Sequence, residues 1–220
     1  MDECQRYNRT FIFELCNGKK IEIRIPEVLD PRYGMYIWPS AVVLAQYIVF
    51  KSEFIERKQI LELGAGTSLP GIVAAKLGGD VVLSDSSLLP QCLENCRRSC
   101  RENYIEDQVS VVGITWGQYS PALINIPQVD IVLASDCFYD EKDFQDIVVT
   151  IAFILNRNQN AKCWVTYQER SSDYSIVHLL RKWKLRCCHI PLETFNASSS
   201  SIAESHLPGN HTVRMMEITC

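Results

Sequence analysis

A chain of 220 residues, 47% hydrophobic and 22% charged, has the composition of a globular protein with a sizeable buried core, not of a disordered or fibrous polymer. Its formal net charge of −4 lacks the basic excess that a bulk nucleic-acid binder needs and suits a basic protein partner better. Ten cysteines, with nothing at residues 1–4 that resembles a secretory leader, read as free thiols in a reducing compartment, cytosol or nucleus.

Residues 10–15 and 19–25 alternate apolar and polar side chains around Asn17-Gly18, which predicts a β-hairpin. A loop with Pro26, Pro31 and Gly34 leads to 38–50, the most apolar segment. Pro39, Ser40 and Gln46 interrupt it and it is too short to span a bilayer, so it reads as a buried helix and no membrane partner is expected. The stretch I-L-E-L-G-A-G-T-S-L-P-G over 60–71 comes next. Ile60, Leu61 and Leu63 end in Gly64 and Gly66, and Ile72 to Ala75 resume an apolar helical pattern. That order is a buried strand, a tight turn and a helix whose free N–H groups point over the turn. Glycines there let a ligand touch backbone and tolerate positive φ.

Periodicity further predicts strand 59–63, helix 69–77, strand 80–84, helix 88–103 and strands 109–113 and 130–135. Helix 141–155, strand 161–167, helix 173–183 and strands 185–190 and 212–219 complete the series. The expected fold is α/β and doubly wound, a mostly parallel seven-stranded sheet with helices on both faces. Only the loop 193–211 separates the last two strands, so the last strand is expected to be antiparallel. The serine run 198–201 within that loop reads as a flexible lid or spacer. Residues 1–220 read as one domain, with 1–32 an N-terminal hairpin extension.

Val81-Val82-Leu83-Ser84-Asp85 places a carboxylate at the end of the second core strand, where doubly wound folds hold the ribose of a nucleoside cofactor. NAD and S-adenosylmethionine both fit that geometry. The dinucleotide fingerprint wants a third glycine or alanine where Leu69 stands. Glu62 would repel a pyrophosphate but attract a cationic methionine moiety, which favours S-adenosylmethionine. Trp116, after the third core strand, could stack on an adenine or pack in the core. Asp136 and Tyr139 follow the fourth core strand at its ligand-binding end, where Asp136 could instead cap the next helix. Thr166 to Arg170 ends the fifth strand in the same layer, with Tyr167 either there or in the core.

Cys92, Cys96 and Cys100 share one helix face over about two turns and cannot converge on a tetrahedral ion. Cys187 and Cys188 point to opposite faces of a strand, and His178, His189, His206 and His211 show no ligand spacing. No metal is expected.

Met35-Tyr36-Ile37-Trp38-Pro39-Ser40, E-L-G-A-G-T-S-L-P-G, L-S-D-S-S, T-W-G and A-S-D-C-F-Y together resemble the methyltransferase-like family of seven-β-strand protein methyltransferases. The resemblance runs from about residue 33 to the end. It implies that S-adenosylmethionine is held at Trp38, Gly64, Ala65, Gly66, Asp85, Trp116 and Ala134, and that Asp136 to Tyr139 line the acceptor-amine site. It also implies a protein substrate, with histone arginine in nucleus and cytoplasm favoured. From the residues alone lysine and arginine stay even, because 135–140 offers no pair of glutamates. Asp136 is the expected group to orient a cationic acceptor, with Tyr139 shaping its pocket and Glu169 a weaker candidate. A nucleic-acid amine is disfavoured, since Ser135-Asp136-Cys137-Phe138 lacks the proline-rich signature of base methyltransferases. A non-catalytic interaction module on the same fold is the competing class, and oligomeric state is not legible.

Overall fold

The structure is a computed structural model that describes residues 6–28, 35–169, 176–199, 201–207 and 212–220. β1 (Arg6–Glu14) and β2 (Lys20–Val28) form a two-stranded antiparallel sheet. The hairpin closes where Leu15 N donates to Lys19 O at 2.8 Å, with Gly18 at φ +78. Alternation puts Phe11, Phe13, Ile23 and Ile25 on one face, wholly buried against the helical layer of the main sheet. Asn103 fixes the contact, accepting from Arg24 N at 3.0 Å and donating to Arg24 O at 2.6 Å.

α1 (Pro39–Phe50) is buried on nearly all sides, as its predominantly apolar sequence requires. β3 (Gln59–Leu63), α2 (Leu69–Lys76), β4 (Asp80–Asp85), α3 (Pro90–Glu102) and β5 (Ser110–Gly113) follow. Next come α4 (Pro121–Ile124), β6 (Ile131–Ser135), α5 (Glu141–Asn156), β7 (Lys162–Gln168), α6 (Val177–Lys182), β8 (Arg186–His189) and β9 (Val213–Thr219). The seven-stranded sheet has the order β5-β4-β3-β6-β7-β9-β8. β9 runs antiparallel between β7 and β8, and the other neighbours pair parallel. The doubly wound sheet with its antiparallel last strand is as expected from the sequence.

Two cores sandwich the sheet. Period-two alternation sends Ile60 to the face covered by α1 and α2, and Leu61 and Leu63 to the face covered by α5. Chain order reverses at the β3–β6 pair, and this is the switch point where open α/β sheets bind ligands, outside the strands' carboxyl ends.

Two features go beyond the sequence reading. The loop between β8 and β9 is packed on either side of the serine run, whose Ser198, Ser199 and Ser201 stay exposed. Short 3-10 helices at Leu192–Phe195 and Ile202–Glu204 bury Phe195, Ala197, Ile202 and Leu207, and Phe195 packs edge-on against Tyr47 at 5.1 Å. Ser200, at the centre of the serine run, lies outside the described residues, as do His211, Arg170 and the first residues predicted for helix 173–183. α4 has no counterpart in the sequence reading, because four residues are too few to display a helical period. Among the described residues no helix is long and apolar enough to cross a membrane.

Candidate active site

A cavity of about 540 Å³ opens at the switch point, walled by the ends of β3, β4 and β6 and the start of α1. Its floor is the turn over 64–66. Gly64 and Gly66 hold φ +60 and +51, backbone that glycine adopts without penalty. Space is as restrictive as conformation. A Cβ on Gly64 would lie 2.8 Å from the Trp116 ring and 3.1 Å from Cys137 Sγ.

The turn is pinned on both sides. Ala65 N donates to Ser84 O and Gly66 N to Asp85 Oδ2, each at 2.8 Å. From α3, Ser99 Oγ donates to Thr67 O at 2.9 Å and Asn95 Nδ2 to Gly66 O at 3.4 Å. The buried polar stripe of α3 therefore satisfies the carbonyls of the turn. Cys92, Cys96 and Cys100 share that buried face, and among the described residues no group of three His, Cys, Asp or Glu is placed to hold a metal.

Asp85 faces the cavity, its Oδ1 accepting from Ser86 N at 2.8 Å. Burial pushes its carboxyl above the ordinary range, while its two backbone donors oppose that shift. Trp38, Gly64, Ala65, Gly66 and Trp116 share the wall with it. Trp116 lies directly over Gly64, with Ile114 N on Asp85 O at 2.8 Å to hold the approach to the segment. Trp38 stands at the N-cap of α1, and Thr166 Oγ1 ties that helix start to β7 by donating to Ser40 O at 2.8 Å.

Glu62 and Ala134 lie off the cavity wall. Glu62 shares the parity of Ile60 along β3, so its side chain points beneath α2 instead of toward a ligand. Its Oε2 accepts from Gly71 N at 3.0 Å, and a Cβ on Gly71 would fall 2.4 Å from that oxygen. Glu62 thus positions the helix behind the turn. Ala134 is wholly buried in the α5-side core, and β6 reaches the cavity only at Ser135.

Glu62 is fully buried, its Oε1 has no hydrogen-bond partner among the described residues, and desolvation pushes its pKa up to about 8. Unfolded chain releases this proton near the ordinary value of 4.5 while folded chain keeps it to about pH 8. The stability it contributes is therefore complete below pH 4.5 and is lost as pH rises through about 8. Glu62→Gln cannot titrate. The melting temperature of the variant, relative to wild type, is expected to climb across that window by at least about 3 °C, the shift that roughly 1 kcal/mol produces in a chain of this size. Parallel profiles of melting temperature against pH would show Glu62 ionised in the fold.

Asp136 and Tyr139 complete the wall opposite the turn. Asp136 is 8% exposed and sits at φ +52, a left-handed conformation that costs a non-glycine residue about 1–3 kcal/mol. Two bonds across the sheet hold it there. Asp136 N donates to Thr166 O at 2.7 Å, and Oδ1 accepts from Gln168 N at 3.2 Å. It does not cap α5, since Asp140 does so by accepting from Lys142 N at 3.2 Å. Tyr139 stands at the mouth, 39% exposed, its phenol shifted up chiefly by burial. Glu169, the weaker acceptor-site candidate, lies outside the site, because it pairs with Arg214 of β9 at 3.0 Å and does not line the cavity. The structure adds Tyr36, Leu89 and Gln91 to the wall. Tyr36 stands two residues before Trp38, in the M-Y-I-W-P run singled out in the sequence.

A sequence profile described as lysine methyltransferase matches residues 17–181. Histone-arginine methyltransferase METTL23 of Xenopus laevis is 54% identical over 214 residues, covering 96% of this chain and 91% of that protein. The Homo sapiens protein of the same name is 54% identical over 185 residues, covering 84% and 97%. Among solved structures, the T. thermophilus 16S rRNA N2 G1207 methyltransferase RsmC, in complex with AdoMet and guanosine, aligns over 96% of this chain and 50% of its own. Its TM-score is 0.63 at 12% identity, which bears on the fold alone. The chain belongs to the lysine methyltransferase family and is an S-adenosylmethionine-dependent protein methyltransferase.

Proposed function

We propose that this enzyme methylates arginine side chains of histones. The observation that carries the reading is the charge of the cavity. Its described wall holds two carboxylates, Asp85 and Asp136, and no Lys or Arg, so it favours cations. The names of the relatives that match most of the chain support histone arginine.

The residues present fit the cofactor. The floor of Gly64 and Gly66 presents backbone without side chains to the cavity, and Asp85 offers acceptor oxygens where a ribose diol would lie. When bound, S-adenosylmethionine supplies an electrophilic methyl group on a sulfonium. The chain's own contribution is placement. Trp116 over Gly64 and Trp38 across the cavity limit where adenosine can settle, and Asp136 marks where an acceptor must arrive.

Asp136 also bears on the choice of acceptor. A carboxylate beside a lysine ammonium stabilises its protonated form, which has no lone pair to attack a methyl group. A guanidinium stays protonated whatever its neighbours, and a carboxylate fixes its planar fork while the developing charge stays delocalised. The second reading, lysine, rests on the family description. The test is incubation of core histones with isotopically labelled S-adenosylmethionine, followed by mass spectrometric site mapping. Methylarginine is the expected product. Label confined to lysine would replace the acceptor, and label in free nucleosides but no protein would overturn the substrate class.

A further inference from the structure

We propose that Tyr36 is a specificity-determining residue: with Tyr139 it forms the rim through which the stem of a cationic acceptor side chain descends to Asp136. The proposal deepens the protein-methylation reading and rests on it.

The cavity is graded in depth. Tyr36 and Tyr139 line it while 41% and 39% exposed, and Asp136 lines it at 8%. An acceptor entering from solvent would meet the two phenol rings first and the carboxylate last. The rings come from separate parts of the chain, the segment before α1 and the turn after β6, and one residue of β7 ties the start of α1 to the end of β6. Thr166 receives Asp136 N on its carbonyl and holds Ser40 O with its hydroxyl. Tyr36 is itself braced, edge-on to Trp38 with centroids 5.3 Å apart and planes at 82°. A large ring held in place yet left in solvent at the lip of a cavity with a buried carboxylate in its wall is suited to one class of ligand. Its face attracts a cation and its hydrocarbon covers the methylene stem that carries the cation. Lysine and arginine share that chemistry, so the proposal concerns a cation on a flexible stem, and the experiment separates the two sources.

A histone-tail peptide with a single arginine, and its lysine counterpart, would be titrated into the full chain saturated with S-adenosylhomocysteine. Turnover on core histones would be measured in parallel. Tyr36→Ala is expected to weaken peptide binding, and to raise the KM for histone, by roughly 3- to 30-fold, the range of a cation–π contact. Affinity for S-adenosylmethionine should stay unchanged, and Tyr36→Phe should behave as wild type because the ring is retained. Equal peptide affinity in wild type and Tyr36→Ala would overturn the proposal. So would a loss of cofactor affinity as large as the loss of peptide affinity, which would make Tyr36 only a prop for Trp38. Failure of the wild type to bind either peptide would overturn it too. If only the lysine peptide binds and Tyr36→Ala weakens it, the rim stands and the arginine reading falls. Likewise, if the wild type binds peptide but transfers methyl to no protein, the binding ratio still decides the role of Tyr36 while the proposed function fails.

Discussion

Asp85→Ala is expected to raise the dissociation constant for S-adenosylmethionine by about 10- to 100-fold, the cost of losing hydrogen bonds to a charged group. The carboxylate ends β4 facing the cavity, and it also accepts from Gly66 N and Ser86 N at 2.8 Å each. The alanine variant therefore frees a backbone donor in the turn besides removing the ribose acceptor, which places the effect toward the upper end. Asp85→Asn separates the two contributions, because one amide oxygen can still hold Gly66 N while the charge is gone. Isothermal titration with each variant, beside its thermal unfolding curve, reads both. A folded alanine variant with wild-type affinity would remove Asp85 from the ligand.

The strand–turn–helix that builds the floor was legible because local chemistry dictates it. β3 has the bounds predicted from its apolar run, and positive φ occurs at both turn glycines. The strong apolar periods also locate α2, α5 and β9 to within a residue or two. Where long-range packing decides, the sequence was silent. Nothing in 193–211 announces that Phe195 will fill a gap beside Tyr47. α4 depends on its Ser120 cap, which accepts from Leu123 N, and on Pro121 in its first turn, with too little length for a pattern.

The site divides along the same line. Asp85, the glycine turn and Asp136 could be placed because the fold class assigns them to strand ends. Glu62 has the charge of a cofactor contact but not the parity of one, and it lies off the cavity wall. Parity with Ile60 already put it under α2, and Gly71, two residues into that helix's first turn, is the glycine that makes room for it. The partnership of Glu169 with Arg214 joins residues 45 positions apart through the β7–β9 pairing, beyond any local pattern. The left-handed backbone of Asp136 was equally hidden. The bonds of its N–H and carboxylate to β7 hold it there, at a residue type that enters the left-handed region more readily than most.

Asp136→Asn is expected to lower kcat/KM for a protein acceptor by about 100-fold while leaving cofactor affinity unchanged. Asparagine is the suitable substitution for a structural reason. It tolerates the left-handed backbone at φ +52, and its amide oxygen can still accept from Gln168 N, so the tie between β6 and β7 survives. What disappears is the negative charge on the cavity wall, the group that would orient a guanidinium and share the charge carried into the transition state. A stability effect would appear as a lower melting temperature, and a cofactor effect as a weaker titration with S-adenosylmethionine. The loss expected here appears in neither, only in methyl transfer to histone. If Asp136→Asn turns over as fast as wild type, Asp136 is a backbone tie holding the end of β6, and the acceptor must be oriented from elsewhere on the wall. A Asp136→Ala variant, which loses both the charge and the acceptor for Gln168 N, should then differ from Asp136→Asn in stability alone.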